Sequence, residues 1–304
     1  MNDMPNRLGA PVNPSHRIEE LLLAALQGAE GPGHPPRLAA AVRHAVLPGG
    51  ARVRPRLVLA VAAACGDDEP ALAGAAAVAI ELLHCASLVH DDLPCFDDAP
   101  LRRGLPSVHR AFGERLAVLA GDALIVRAFQ VLAEVRCSRP TRVPPVLATV
   151  AAGVGMPGGI CAGQAWECEP QVSLAQYQRA KTGALFGAAT AAGAQAAGAE
   201  PAAWRAFGEC LGEAYQVADD VRDVAADPDL LGKPIGRDLA LGRPSVARRD
   251  GVAGAIGRFR QLIAAASQAV PDCPGAEKLR TLVRLESERL VPSALCAEWM
   301  ASAA

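Results

Sequence analysis

Four aspartates (Asp91, Asp92, Asp97, Asp98), two histidines (His84, His90) and the cation pair Arg102–Arg103 fall within LLHCASLVHDDLPCFDDAPLRRG, residues 82–104. Carboxylate oxygens are the hard ligands magnesium takes, one or two per ion, with phosphate oxygens completing the shell. Carboxylates this close repel, and their pKa values rise unless a cation is shared between them. A second acidic cluster, Asp219, Asp220 and Asp223 in QVADDVRD, follows a helical stretch and is trailed by Lys233, Arg237 and Arg243. Residues four apart share a helix face, so Asp219 and Asp223 can present oxygens side by side. Two acidic sites, each with cations downstream, are what a diphosphate held by bridging magnesium ions requires. A third group, Asp67, Asp68 and Glu69 in GDDEP, reads as an ordinary exposed turn.

Helices must position these groups. Alanine and leucine dominate, only 4% of residues are aromatic, and no long run alternates apolar with polar, a pattern of helices throughout. The expected fold class is all-α, a helical bundle around a central cavity. No long Pro/Gly/Ser-rich linker divides the 304 residues, so one domain is expected over 1–304, with 1–15 flexible. Ser15 caps a helix from near Arg17 to Gly28, with Glu19 and Glu20 favouring its positive end. Helices follow over 36–46, 55–65 and 71–90, the last carrying the first acid pair at its end. Pro94 stops it, so Asp97 must return to the site from an irregular turn. Further helices are expected over 116–135, with Gly121 at a close helix–helix approach and Asp122 a buried, hydrogen-bonded acid, then through 150–169, over 177–194 and from 202 to 217. Beyond Arg243, helices near 251–269 and 275–290 are assigned no chemistry.

A net charge of −2 leaves no electrostatic footprint for nucleic acid. No N-terminal stretch has signal-peptide character, and the longest apolar runs, such as Leu57–Cys65 and Ala71–Ile80, fall short of the roughly 20 residues of a span. A soluble cytoplasmic protein with no stable membrane span is expected. Nine cysteines occur singly, without CxxC or zinc spacing, as unpaired thiols do.

The two motifs together resemble those of the trans-type (E) polyprenyl diphosphate synthases, above all the bacterial short-chain geranylgeranyl diphosphate synthases. DDxxxxD followed by RRG is matched by Asp91, Asp92, Asp97, Arg102, Arg103 and Gly104. QxxDDxxD followed by GKxxGxD is matched by Gln216, Asp219, Asp220, Asp223, Lys233 and Asp238, about 125 residues on, with KTGALF from Lys181 between. The likeness is clear from Leu47 to Ser245.

The resemblance implies magnesium-dependent head-to-tail condensation of isopentenyl diphosphate with an allylic diphosphate (dimethylallyl, geranyl or farnesyl), three magnesium ions with substrate bound, a homodimer, and a role supplying carotenoid or chlorophyll side-chain synthesis. It implies that Asp91, Asp92, Asp97, Asp219, Asp220 and Asp223 bind metal. Arg102, Lys181 and Lys233 would hold the allylic diphosphate, and Arg54, Arg103 and His84 the second substrate. Lys181, Thr182 and Gln216 would serve catalysis, Thr182 and Gln216 by facing the carbocation. Gln164 matches a family glutamine, and Glu167 stands where aspartate is usual. Two departures matter. Ala51 stands where the family's GGKxxRP has lysine, with Arg52 or Arg43 as substitutes, and Ala99–Pro100 follows Asp98 where relatives carry another acid.

Product length can be argued physically. A helical turn rises about 5.4 Å, close to one isoprene unit. Ala86 and Ser87, five and four residues before Asp91, are small where fifteen-carbon relatives place an aromatic, so the tail should pass to Leu82 or Leu83 and reach twenty carbons. Three alternatives stand beside this: a farnesyl diphosphate synthase, a non-catalytic regulatory subunit of such a synthase, and a class I terpene cyclase. The second acidic motif does not fit the cyclases' N/D-D-x-x-S/T-x-x-x-E pattern.

Overall fold

The structure, a computed structural model, describes residues 14–171, 173–225 and 246–291. The fold is all-α, as expected: α1 Pro14–Ala29, α2 Pro36–Val46, α3 Val53–Ala64, α4 Pro70–Asp91, α5 Val108–Phe112, α6 Glu114–Glu134, α7 Val143–Val154, α8 Ile160–Ala165, α9 Leu174–Gln178, α10 Ala184–Ala196, α11 Pro201–Ala225, α12 Val246–Gln268 and α13 Ala276–Leu290. A two-stranded hairpin, β1 Leu101–Arg102 and β2 Leu105–Pro106, interrupts them.

α4 is the centre. It is apolar nearly all round, with Leu72–Leu83 buried without a break, as a helix enclosed by others must be. α3, α6 and α10 pack around it, and α10 in turn packs on α7 and α11. Small residues allow the closeness. A Cβ at Gly193 would meet the Val58 carbonyl where α10 crosses α3, and one at Gly121 would strike the His90 ring where α6 crosses α4.

Several expectations need correction. α1 begins at Pro14, so Ser15 lies inside it rather than capping it; residues 1–13 lie outside the described residues. Gly121 is a close approach, but Asp122 is not buried: its side chain is 59% exposed, 3.8 Å from His90 Nε2. At about 100° per residue, position 122 faces a different side of α6 from 121. The helix expected through 150–169 breaks at Gly155–Gly159, where three glycines and Pro157 disfavour helix. The exposed turn at 67–69 is only partly so: Glu69 is buried and accepts hydrogen bonds from Ser138. α4 and α6 are long and apolar enough to cross a membrane, contrary to the sequence reading of short runs, although most of α4's window is buried within the protein.

Candidate active site

One cavity of about 1120 Å³ collects many of the groups that sequence reasoning singled out, slightly larger than the roughly 300–1,000 Å³ usual for small-molecule sites. Asp91, Asp97, Asp219 and Asp220 line it together with Arg102, Lys181, Thr182 and Gln216. Leu83, Ala86 and Ser87, on α4 below Asp91, line it with Ile125, Val154 and Ile160 from α6, α7 and α8. At 1.5 Å per residue, Leu83 stands about 12 Å down the helix from Asp91.

The first acid motif folds as its length demands. α4 ends at Asp91, and the Asp97 amide donates to the Asp91 carbonyl at 3.0 Å, returning the third aspartate beside the first. The Asp98 amide reaches Leu93 O, and Ala99 N reaches Asp92 O at 3.1 Å. Arg103 (φ +53°) and Gly104 (φ +77°) form the hairpin turn, the left-handed pair that a two-residue loop between twisted strands takes. The turn thereby presents Arg102 and Arg103 to the cavity.

Asp92 takes a different position from its neighbours. It is 2% exposed, and Arg102 donates to it from Nη2 (2.5 Å) and Nε (3.1 Å). Burial raises its pKa despite that partner. Unlike Asp91 and Asp97, it does not line the main cavity. Asp220, 3% exposed, accepts from Gln216 Nε2 (3.0 Å) and from Val246 N at the start of α12 (2.8 Å). These two acids thus hold protein groups, Asp92 away from the main cavity and Asp220 at its wall, beside Asp91, Asp97 and Asp219. Asp219 is also paired with Arg222. Of Asp223 only the backbone is described, and Lys233, Arg237, Asp238 and Arg243 lie outside the described residues.

Lys181 sits in a π turn, Arg179–Gly183, joining α9 to α10. Such single-turn insertions recur at functional sites. Its ammonium meets Glu167 at 2.5 Å and Asp91 at 3.8 Å, and Tyr177 OH donates to the same Glu167 oxygen at 2.6 Å. A Cβ at Gly163 would meet the Lys181 backbone, so α8 fixes the turn from behind. Thr182 Oγ1 donates to Gln216 Oε1 at 2.7 Å, linking the π turn to the second acid motif. Gln164 donates to Glu167 at 3.3 Å.

A basic corner adjoins these groups. Arg54 Nη1 donates to His84 Nε2 at 3.3 Å and the guanidinium stacks 4.5 Å over Phe186. Arg54 Nε and Arg103 Nη1 are buried without a hydrogen-bond partner among the described residues, as donors reserved for an anion would be. Burial, and then Arg54 and Arg103, push the His84 pKa well below its ordinary value, so the ring is a neutral acceptor. Below about pH 6.5 the unfolded chain takes up a proton there that the folded chain refuses. Stability is therefore full above that pH and falls on acidification by up to ~1.4 kcal/mol per pH unit. His84→Gln is expected to flatten the acid limb of a urea-stability profile relative to wild type; parallel limbs would show that the ring is not buried neutral.

Arg52 is not aimed at a ligand. Its side chain is 3% exposed and donates to Glu81 Oε1 (2.6 Å), Glu19 Oε1 (2.7 Å) and the Val46 carbonyl (2.6 Å). Burial opposes its charge, yet the two carboxylates more than offset that and raise its pKa. The sequence expectation for Arg52 is corrected: the residue lies at the cavity wall, but its guanidinium is taken up by Glu81, Glu19 and the Val46 carbonyl. Arg43 is likewise taken by Glu30. Sequence reasoning missed Glu81, buried beneath the arginines, and Tyr215 and Arg289, which line the cavity. Tyr215 adjoins Gln216 and was within reach of the motif; Arg289 carries no local signal.

Among the described residues no three His, Cys, Asp or Glu side chains converge closely enough to hold an ion alone. Separate carboxylates around an open cavity fit magnesium, which is bound through one or two carboxylates with substrate phosphates filling the rest.

A family model described as polyprenyl synthetase matches residues 35–267. The chain is 53% identical over 281 residues to the geranylgeranyl diphosphate synthase of Cereibacter sphaeroides, covering 92% of this chain and 98% of that one. It is 49% identical over 282 residues to that of Rhodobacter capsulatus, covering 93% and 98%. A geranyltransferase of Helicobacter pylori, crystallised with magnesium and isoprenyl diphosphate, matches with a TM-score of 0.77 at 27% identity, over 92% of this chain and 99% of that one. The geranylgeranyl pyrophosphate synthetase of Pyrococcus horikoshii matches with a TM-score of 0.75 at 30% identity, covering 90% and 95%.

Proposed function

The chain belongs to the polyprenyl synthetase family, and from that premise we propose that it joins isopentenyl diphosphate head-to-tail to allylic diphosphates and stops at geranylgeranyl diphosphate. It is a prenyltransferase. The observation that carries the reading is the single cavity in which carboxylates from both acid motifs and Lys181 stand above an apolar wall of α4.

Asp91, Asp97, Asp219 and Asp223 would hold magnesium, three ions with substrate bound, which would supply Lewis-acid charge to the leaving diphosphate. Arg102, Lys181 and Lys233 bind that diphosphate, and Lys181 exchanges Glu167 for it. Thr182 and Gln216 present oxygen dipoles where positive charge develops on the allyl carbon. Arg54, Arg103 and His84 orient isopentenyl diphosphate so that its double bond attacks that carbon. The proton lost afterwards goes to the departed diphosphate, leaving a trans double bond. Asp92 and Asp220 act by holding Arg102 and Gln216.

Turnover by the purified chain with magnesium, isopentenyl diphosphate and farnesyl diphosphate tests this, with products separated by chromatography. Twenty-carbon product is expected. A product of fifteen carbons from shorter starters would favour a farnesyl diphosphate synthase, and no turnover a regulatory subunit. Ala86→Tyr fills the wall about 7.5 Å below Asp91 and is expected to shift the major product from twenty carbons to fifteen. An unchanged profile would remove α4 as the ruler.

A homodimer of this cytoplasmic enzyme is supported by α6, whose Val118, Leu119 and Val126 are 42%, 50% and 55% exposed. An apolar stripe of that kind favours cover by protein.

A further inference from the structure

The basic corner lacks a cation that its sequence pattern leads one to expect, because Ala51 presents only a methyl group to the cavity. Neither arginine near it in sequence fills the gap, since Arg52 and Arg43 are both held by carboxylates. Glu81 also subtracts from the corner, lying 3.7 Å from Arg103 Nη2 as well as bonded to Arg52. A triply charged diphosphate would then meet Arg54 and Arg103 with part of their charge already balanced.

The last described helix reaches the same cavity. Arg289, near the end of α13, lines the cavity with Gly50, Ala51, Arg54 and Tyr215. Its side chain is 50% exposed, and its Nε and Nη2 are braced on Glu286 at 3.1 and 3.0 Å. Glu286 is itself anchored to α3 through Arg56 at 2.8 Å. That brace sets the guanidinium in place and leaves further N–H donors of its five-donor fork for another acceptor. The Tyr215 hydroxyl is buried, with no hydrogen bond of normal geometry among the described residues. It lies close enough to Arg289 and Arg54 for both to oppose the rise that burial and Glu286 impose, which takes its pKa to about 12. It remains a neutral donor at any working pH.

We propose that Arg289, assisted by the Tyr215 hydroxyl, supplies the isopentenyl diphosphate site with the cation that position 51 lacks. The inference rests on the function proposed above and adds to it a binding residue from a helix without any motif. The C-terminal helix thereby becomes part of the site rather than a cover for it.

The test is steady-state kinetics of full-length Arg289→Gln, alone and combined with Ala51→Lys. Losing one charge-assisted contact is expected to raise KM for isopentenyl diphosphate about tenfold to a hundredfold. KM for the allylic diphosphate and the melting temperature should stay near wild type. Ala51→Lys in the same chain should recover most of the loss, because it restores a cation at the position that lacks one. Tyr215→Phe should raise the same KM by a smaller factor. An unmoved KM for isopentenyl diphosphate, an equal rise in both KM values, or no recovery with Ala51→Lys overturns the proposal. Wild-type turnover in the same assay keeps the two readings apart. A wild-type chain that condenses nothing fails the function, whereas one that condenses normally and tolerates Arg289→Gln fails only this inference.

Discussion

Asp91→Ala and Asp219→Ala are each expected to lower kcat by roughly a hundredfold to a thousandfold, the scale of losing one preorganised stabiliser of developing charge. The two aspartates come from helices distant in sequence, α4 and α11, yet line one cavity. If both grip the same diphosphate through magnesium, their effects cannot add, since a diphosphate released on one side is no longer held for ionisation by the other. The double variant should therefore be little slower than either single one. Circular dichroism must show the helical fold intact, and raised magnesium should recover part of either single loss. Multiplying losses, or full activity in either variant, would place the two acids in separate roles. Asp92→Asn and Asp220→Asn offer a contrast: each removes an anchor for Arg102 or Gln216 and should reduce the rate without changing the magnesium dependence.

Glu81→Ala is the second large effect, read in stability. Glu81 is 2% exposed and bonded to Arg52, which is 5% exposed; Arg103 lies 3.7 Å away, and Cys85 Sγ donates to the same oxygen at 3.8 Å. Removing one member of a buried ion pair leaves the other charge uncompensated, at a cost of about 3–5 kcal/mol. Urea denaturation should show a loss of that size with little change in slope. Glu81→Gln, which keeps shape and a carbonyl acceptor, should lose less. Arg52→Met with Glu81→Leu should recover much of the stability, because a well-packed apolar pair can match a buried ionic one. Stability unchanged in Glu81→Ala would mean that Glu19 alone satisfies Arg52.

Much of the site was open to inspection before any coordinates. The first motif's acids with Arg102 and Arg103, the pair Asp219 and Asp220, the irregular return of Asp97 and the small wall residues Ala86 and Ser87 follow from residue type and local spacing, because helical periodicity and a helix-stopping proline are local facts. The all-α class followed for the same reason. Less accessible were features set by partners far along the chain. Arg52 looked like a ligand cation until Glu19 and Glu81, contributed by α1 and α4, claimed it. Asp122 looked buried because its neighbour Gly121 is.

Composition and motif order were enough to identify the chemistry: hard anions for metal, cations for diphosphate and an apolar helix for the tail. Only the packed chain decided which acids hold Arg102 and Gln216, and only it brought Arg289 to the cavity that Ala51 lines. The reason is geometric. Residue type states what a side chain is able to do, and periodicity states which face of its own helix it occupies. Which other helix that face meets is set by the packing of apolar surfaces and close-approach glycines across the whole bundle, for which no short stretch of sequence carries the coordinates.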